Sequence, residues 1–241
     1  MNYVYSAAGA LIVMFVFLIL KKARKNRADY LLIAINVIVG LFLLSDVLVR
    51  WRLTSAAVIL QNGLPLLLFP LFAFYVLQFT QAKHSISRAW LLLLVPLVAF
   101  LVLSLVEHYV LNHYPTTEAV LHHFTRPRLS YHIIFKGSQL LFIGVLAVLL
   151  RQLAEFKKAL KEGYSTIETI DVQWLQHFTW IYLGSIAFTF VLFLAQNVGL
   201  LPMNVYEVFG IIYGVLVLSV LYLNYHGIQH YTLSQEDPEL V

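Results

Sequence analysis

The sequence predicts an all-α, polytopic membrane protein: a bundle of seven transmembrane helices with its N-terminus outside and its C-terminus in the cytoplasm. Three observations predict it. Hydrophobic residues make up 61% of the 241 residues and charged residues only 12%, with a mean hydropathy of +0.81, whereas soluble domains are about half apolar and a quarter charged. The apolar residues gather into seven runs, each near the roughly 20 residues that a helix needs to cross about 30 Å of hydrocarbon. Lysine and arginine concentrate in alternate connections, as the positive-inside rule requires of a multispan chain.

The runs are Val4 to Leu20, Tyr30 to Val49, Ala57 to Phe79, Trp90 to Val106, Ile133 to Leu150, Trp174 to Val198 and Tyr206 to Tyr225. The first lacks a preceding basic stretch and a small-residue cleavage site, and its charges follow it, so it reads as a spanning helix and not as a removed signal peptide. The connection after run 1 carries Lys21, Lys22, Arg24, Lys25 and Arg27, that after run 3 Lys83 and Arg88, and that after run 5 Arg151, Lys157, Lys158 and Lys161. The alternate connections hold only Arg50, Arg52, Arg126 and Arg128. This asymmetry sets the orientation. Seven spans occupy most of the chain, so residues 1–232 form one membrane domain and residues 233–241 a flexible cytoplasmic tail.

Pro65, Pro70 and Pro96 lie inside runs 3 and 4, where they should kink the helices. After run 5, RQLAEFKKALKEG reads as a basic helical continuation closed by Gly163. Ser165 with Glu168 has the spacing of a capping box, and Thr169 or Asp171 could cap the next helix. Trp174 and Trp180 suit an inner aromatic belt. No half-bundle repeat is visible, which weakens a transporter built from repeated halves. The net charge of +4 falls in blocks beside apolar runs and not on a folded basic face, so direct nucleic-acid binding is not expected. Cysteine is absent, which excludes disulfides, thiol redox chemistry and cysteine metal ligands.

The segment YSTIETIDVQWLQHF, Tyr164 to Phe178, follows a Lys-rich helix and precedes an apolar span. It resembles the Ser-x-x-Glu-x-x-hydrophobic-x-Trp-Leu segment in the multispan sensor regions of bacterial membrane-bound AraC-type transcription regulators and related sensor histidine kinases. PLLLFPLFAFYV in run 3, WLLLLVP opening run 4 and YHGIQH after run 7 extend the resemblance along the chain. It implies a multi-pass protein of the bacterial cytoplasmic membrane that senses an extracytoplasmic or membrane cue. The last helix would relay that cue to a helix-turn-helix or histidine kinase output domain, absent from this chain. No catalysis, cofactor or metal is then expected; the partners are the lipid bilayer, a small ligand, the output domain and, through the last helix, a possible second protomer.

Polar groups inside lipid are costly, so each marks a site hypothesis. In this orientation most gather toward the outer leaflet: Asp46 and Arg50, Gln61 and Asn62, Glu107, Lys136 and Gln139, Gln196 and Asn197, and Glu207. His132, Lys136 and Gln139 share one face of a helix. One reading is an outward pocket binding a polar or anionic ligand through Asp46, Arg50, Gln61, Glu107, Lys136, Gln139, Gln196 and Glu207. The other is structural pairing of Asp46 with Arg50 at i+4 and of Lys136 with Glu107 or Glu207. In the last run, Gly210 and Gly214 form G-x-x-x-G, whose ordinary meaning is close helix contact. Together with Trp174, Tyr225 and Gly227 they form the expected relay.

Five of the nine histidines, His108, His113, His122, His123 and His132, fall between Glu107 and His132. Their spacing matches no metal motif, so they read as solvated loop histidines, although clustered histidines can bind zinc or sense acid. His226 and His230 stand four apart, as in many zinc sites. They raise the alternative of a zinc-dependent seven-span hydrolase, for which a third ligand is missing at the same depth. A small-solute transporter is the remaining alternative. No lysine in run 7 could form a retinal Schiff base, and neither a phosphate-cradling glycine loop nor a nucleophile elbow is present.

Overall fold

The computed structural model describes residues 2–21, 27–50, 55–80, 88–107, 129–163, 173–197 and 214–227. Among them every element is helical, and each helix coincides with one apolar run. Helix α1 is Asn2–Leu20. The chain then turns at Lys21, whose amide donates to the Phe17 carbonyl at 3.0 Å, and whose ammonium lies 4.7 Å from the centre of the Phe17 ring. A lysine stem lying back along an apolar helix end keeps its charge at the rim. Helix α2, Arg27–Arg50, carries Asp29 in its first turn, where a carboxylate suits the positive end of the helix dipole.

Helix α3, Ser55–Thr80, runs unbroken through Pro65 and Pro70. Run 4 behaves differently. It starts as a 3-10 helix at Arg88–Leu94 and becomes α4, Val95–Leu105, with Pro96 in the first turn. Proline has no amide to donate to the carbonyl four residues back and its ring crowds that carbonyl. The α pattern therefore starts at the proline and does not pass through it. Helix α5, Leu129–Gly163, has 35 residues, about 52 Å at 1.5 Å per residue. It outruns a hydrocarbon core of about 30 Å and absorbs the basic continuation up to Gly163. Helix α6 is Gln173–Asn197, and α7 is Gly214–Gly227. Helices α2, α3, α5 and α6 are long and apolar enough to cross a membrane; α1, α4 and α7 contain shorter apolar segments.

The broadest interface among the first six helices is α2 against α3, with α6 on α5 and α1 on α2 next. An aromatic core ties the middle of the bundle. Phe69 of α3 stacks on Phe142 of α5 with ring centres 4.2 Å apart, and Phe72 of α3 meets Phe178 and Tyr182 of α6 at 4.6 and 5.0 Å. Such ring pairs add about 0.5–1.5 kcal/mol each beyond the area they bury.

Around this apolar core the outer surface of the helices is apolar as well, and some polar side chains lie inside. Val13, Leu92, Ile133, Trp180 and Leu218 are more than 60% exposed, while Asn36, Asp46, Glu107, Thr179 and Asn224 are at most 4% exposed. Hydroxyls are satisfied within their own helices: Thr179 and Ser219 each donate to the carbonyl four residues back, at 2.7 Å. An apolar outside with internally satisfied polar groups is what a lipid solvent demands. The chain is a helical membrane protein.

Candidate functional site

The helices alternate in direction, so the bundle has two ends. At the basic end lie the exit of α1, the start of α2, the Lys-rich end of α5, the start of α6 and the exit of α7. Of the polar residues read as a pocket, Asp46, Gln61, Glu107, Lys136 and Gln139 lie toward the opposite end.

At that opposite end Gln61 of α3 donates its Nε2 hydrogen to Asp46 Oδ1 of α2 at 2.7 Å, and Asp46 is only 4% exposed. This bond closes the α2–α3 interface two residues before Gly63. There α3 comes so near α4 that an added Cβ would stand 3.0 Å from Phe100. Phe100 in turn meets Phe135 of α5 at 5.4 Å. The next residue, Lys136, is half-buried and sets its ammonium 5.7 Å from the Phe190 ring centre of α6, within reach of a cation–π attraction. Asp46 and Gln61 thus join α2 to α3, and Lys136 joins α5 to α6, at the same end of the bundle. Glu107 is buried at 4% exposure just past α4, and Gln139 is half-buried one turn after Lys136. Arg50 and Gln196 sit in the last turns of α2 and α6, with side chains outside the described residues, as are Glu207 and Gly210. The same holds for the histidines between 108 and 132, for His230, and for the capping residues Ser165, Glu168, Thr169 and Asp171.

The basic end is more closely built. Asn36 of α2 and Asn224 of α7, 188 residues apart in sequence, exchange amide hydrogen bonds. Asn36 Nδ2 donates to Asn224 Oδ1 at 2.7 Å, and Asn224 Nδ2 donates back to Asn36 Oδ1 at 2.8 Å. Each amide gives its other hydrogen to its own helix, Asn36 to the Leu32 carbonyl at 2.8 Å and Asn224 to the Val220 carbonyl at 2.9 Å. All four N–H groups are thereby used, and neither side chain has any exposure. One turn further toward the exit Gly227 is seated on α3 and α2: a Cβ there would lie 2.7 Å from the Tyr75 hydroxyl and 3.2 Å from Leu32 Cδ2. The residue must be glycine for α7 to come this close.

The third side of α7 faces α6 through two parallel ring stacks. Trp174 covers His226 with centres 5.7 Å apart and planes at 12°, and Phe178 covers Tyr222 at 6.3 Å and 18°. Tyr225, 54% exposed, meets the same imidazole edge-on at 5.1 Å. Of the expected relay residues, Trp174, Tyr225 and Gly227 thus converge around the exit of α7. Among the described residues nothing lies within 4 Å of a Cβ added at Gly214, and at the exit of α7 the close-approach glycine is Gly227. Among the described residues no three His, Cys, Asp or Glu side chains come together, and His226 is taken up by aromatic contacts.

Sequence reasoning about polar groups in the runs passes over Asn36 and Asn224. The usable signal is that each is a lone amide in an apolar run. No protein-family model, curated protein or solved structure matches the chain. The likeness to AraC-type and histidine-kinase sensor regions therefore rests on the quoted sequence segments.

Proposed function

We propose that this protein is a seven-span sensory domain of the bacterial cytoplasmic membrane, N-terminus outside, whose last helix relays a cue at the outer polar belt to a cytoplasmic transcriptional or kinase output module. The observation that carries the reading is the seat of the α7 exit. A terminal helix that served only to complete a bundle would need nonspecific apolar packing. Instead, Asn224, Gly227 and His226 tie it to α2, α3 and α6 at once. A displacement of α2 or α3 would then carry the exit with it. The Asp46–Gln61 contact of α2 with α3 and the Lys136–Phe190 contact of α5 with α6 support a place for a cue to act on these helices. A ligand shifts such an equilibrium only by its difference in affinity for the two arrangements.

The test joins a helix-turn-helix output module after Gln235 and reads transcription from its promoter as outer pH, osmolarity and solute pools are varied. The sensory reading expects a response that Lys136→Ala abolishes at unchanged membrane expression. A response insensitive to Lys136 and Asp46 substitution removes the outer pocket, and a chain that never responds but drives solute uptake in vesicles is a transporter.

A further inference from the structure

The Asn36–Asn224 pair has a geometry that allows one register and no neighbouring one. Both amides are fully buried, both carbonyl oxygens face the partner, and each NH2 group uses both hydrogens: one across the interface and one on the carbonyl of the preceding turn of its own helix. Sliding α7 along α2 by one residue, 1.5 Å, would rotate neither amide toward a new partner, because the positions flanking Asn36 are Ile35 and Val37 and those flanking Asn224 are Leu223 and Tyr225. Each amide would keep the bond to its own helix, but its carbonyl oxygen and its second N–H would lose their partners where no water can replace them. A single buried asparagine fixes register in a coiled coil in the same way. The seat of Gly227 on Tyr75 and Leu32 adds a steric stop on the same side of α7.

The α6–α7 interface is built on another principle. Its stacks, Trp174 on His226 and Phe178 on Tyr222, lie with planes within 18° of parallel. Offset stacks keep most of their attraction over centre separations of about 4.5–7 Å. Such surfaces tolerate a slip that a reciprocal amide pair does not.

We propose that the Asn36–Asn224 pair is a register latch that makes α2 and the basic-end half of α7 one rigid unit. Conformational change crosses the bundle as a slip of this unit against α6 along the stacked rings, and α7 does not move along α2. The inference deepens the sensory reading by stating how the output helix moves, and its test needs neither ligand nor output module.

The chain has no cysteine, so spin labels can be placed on its unmodified full length. Labels on lipid-facing positions of α2 and α7, Tyr30→Cys with Leu218→Cys, report the latch, and labels on α6 and α7, Val191→Cys with Leu218→Cys, report the stacks. Electron–electron distance distributions are recorded in lipid nanodiscs, in the unsubstituted background and in Asn36→Leu/Asn224→Leu, in which an apolar pair replaces the amides without orphaning either. The latch predicts a single narrow α2–α7 distribution and a wider α6–α7 distribution in the unsubstituted protein, and an α2–α7 distribution at least twofold broader in the Leu/Leu variant. An α2–α7 distribution as wide as the α6–α7 one, or one that the Leu/Leu variant leaves unchanged, overturns it. If the Leu/Leu variant does not fold, the comparison of the two widths in the unsubstituted protein decides alone. Absence of any transcriptional response would count against the sensory function and leave these distributions as they are.

Discussion

Replacing Gly227 by alanine places a methyl group where the structure leaves no room for one. The new Cβ would stand 2.7 Å from the Tyr75 hydroxyl and 3.2 Å from Leu32 Cδ2, and both neighbours are only 1% exposed, so neither can swing into solvent. Relief requires a shift of about 0.7 Å between α7 and α3, and overpacking of this kind costs about 1–3 kcal/mol. The backbone does not oppose the change, because Gly227 is not in the left-handed region. Alanine also gains about 0.4–1 kcal/mol over glycine at a compatible site. The net expectation is a loss of about 1–2 kcal/mol. In a Tyr75→Phe background the hydroxyl is gone, the next ring atom, Cζ, lies at 3.9 Å and only the 3.2 Å contact with Leu32 Cδ2 remains, so the same substitution becomes close to neutral. Unfolding curves for the four members of this cycle, in one bilayer mimetic, give a coupling of about 1–2 kcal/mol. Equal effects of Gly227→Ala in both backgrounds would mean that the tyrosine hydroxyl does not set the spacing of α7.

Gln61→Leu removes the 2.7 Å donor to the buried Asp46 carboxylate and should destabilise by about 1–3 kcal/mol in the same unfolding assay. Phe142→Ala empties a site 1% exposed and stacked at 4.2 Å on Phe69, with an expected loss of about 3–5 kcal/mol. Arg151 bonds Glu155 at 2.8 Å, but the two side chains are 82% and 63% exposed; Arg151→Ala should leave the unfolding curve unchanged, since solvent screens such pairs.

The positions of the helices are legible in the sequence because apolar runs bounded by charges leave lipid-crossing chain little choice but helix. The extension of α5 to Gly163 is readable for a second reason: its charges sit on the face opposite Leu149 and Leu153, which are fully buried. What the runs do not disclose is where the α pattern gives way. The Trp90 to Val106 run reads as one α-helix, yet its first part is 3-10, because Pro96 sets a local boundary that hydropathy does not register. Partners are harder still. Asp46 accepts a hydrogen bond from Gln61 of the next helix, a partner that helix packing supplies and that local spacing does not disclose. Asn36 and Asn224 lie 188 residues apart, and no local pattern links them. The G-x-x-x-G spacing points to Gly210 and Gly214, of which Gly210 lies outside the described residues, and no spacing points to the tight contact at Gly227, where a tyrosine from α3 arrives.

An outer polar belt and an inner relay both require that the two ends of the bundle lie on opposite sides of the membrane. With no native cysteine to mask, single substitutions at Arg24, Arg52, Lys83, His113, Lys161, Met203 and Gln235 to cysteine can be probed in intact cells with a membrane-impermeant maleimide. Labelling from outside is expected at 52, 113 and 203, and only after permeabilisation at 24, 83, 161 and 235. Two consecutive connections labelled from the same side would break the seven-span bundle, and the reversed pattern would place the Asp46 and Lys136 belt in the cytoplasm and the exit of α7 outside.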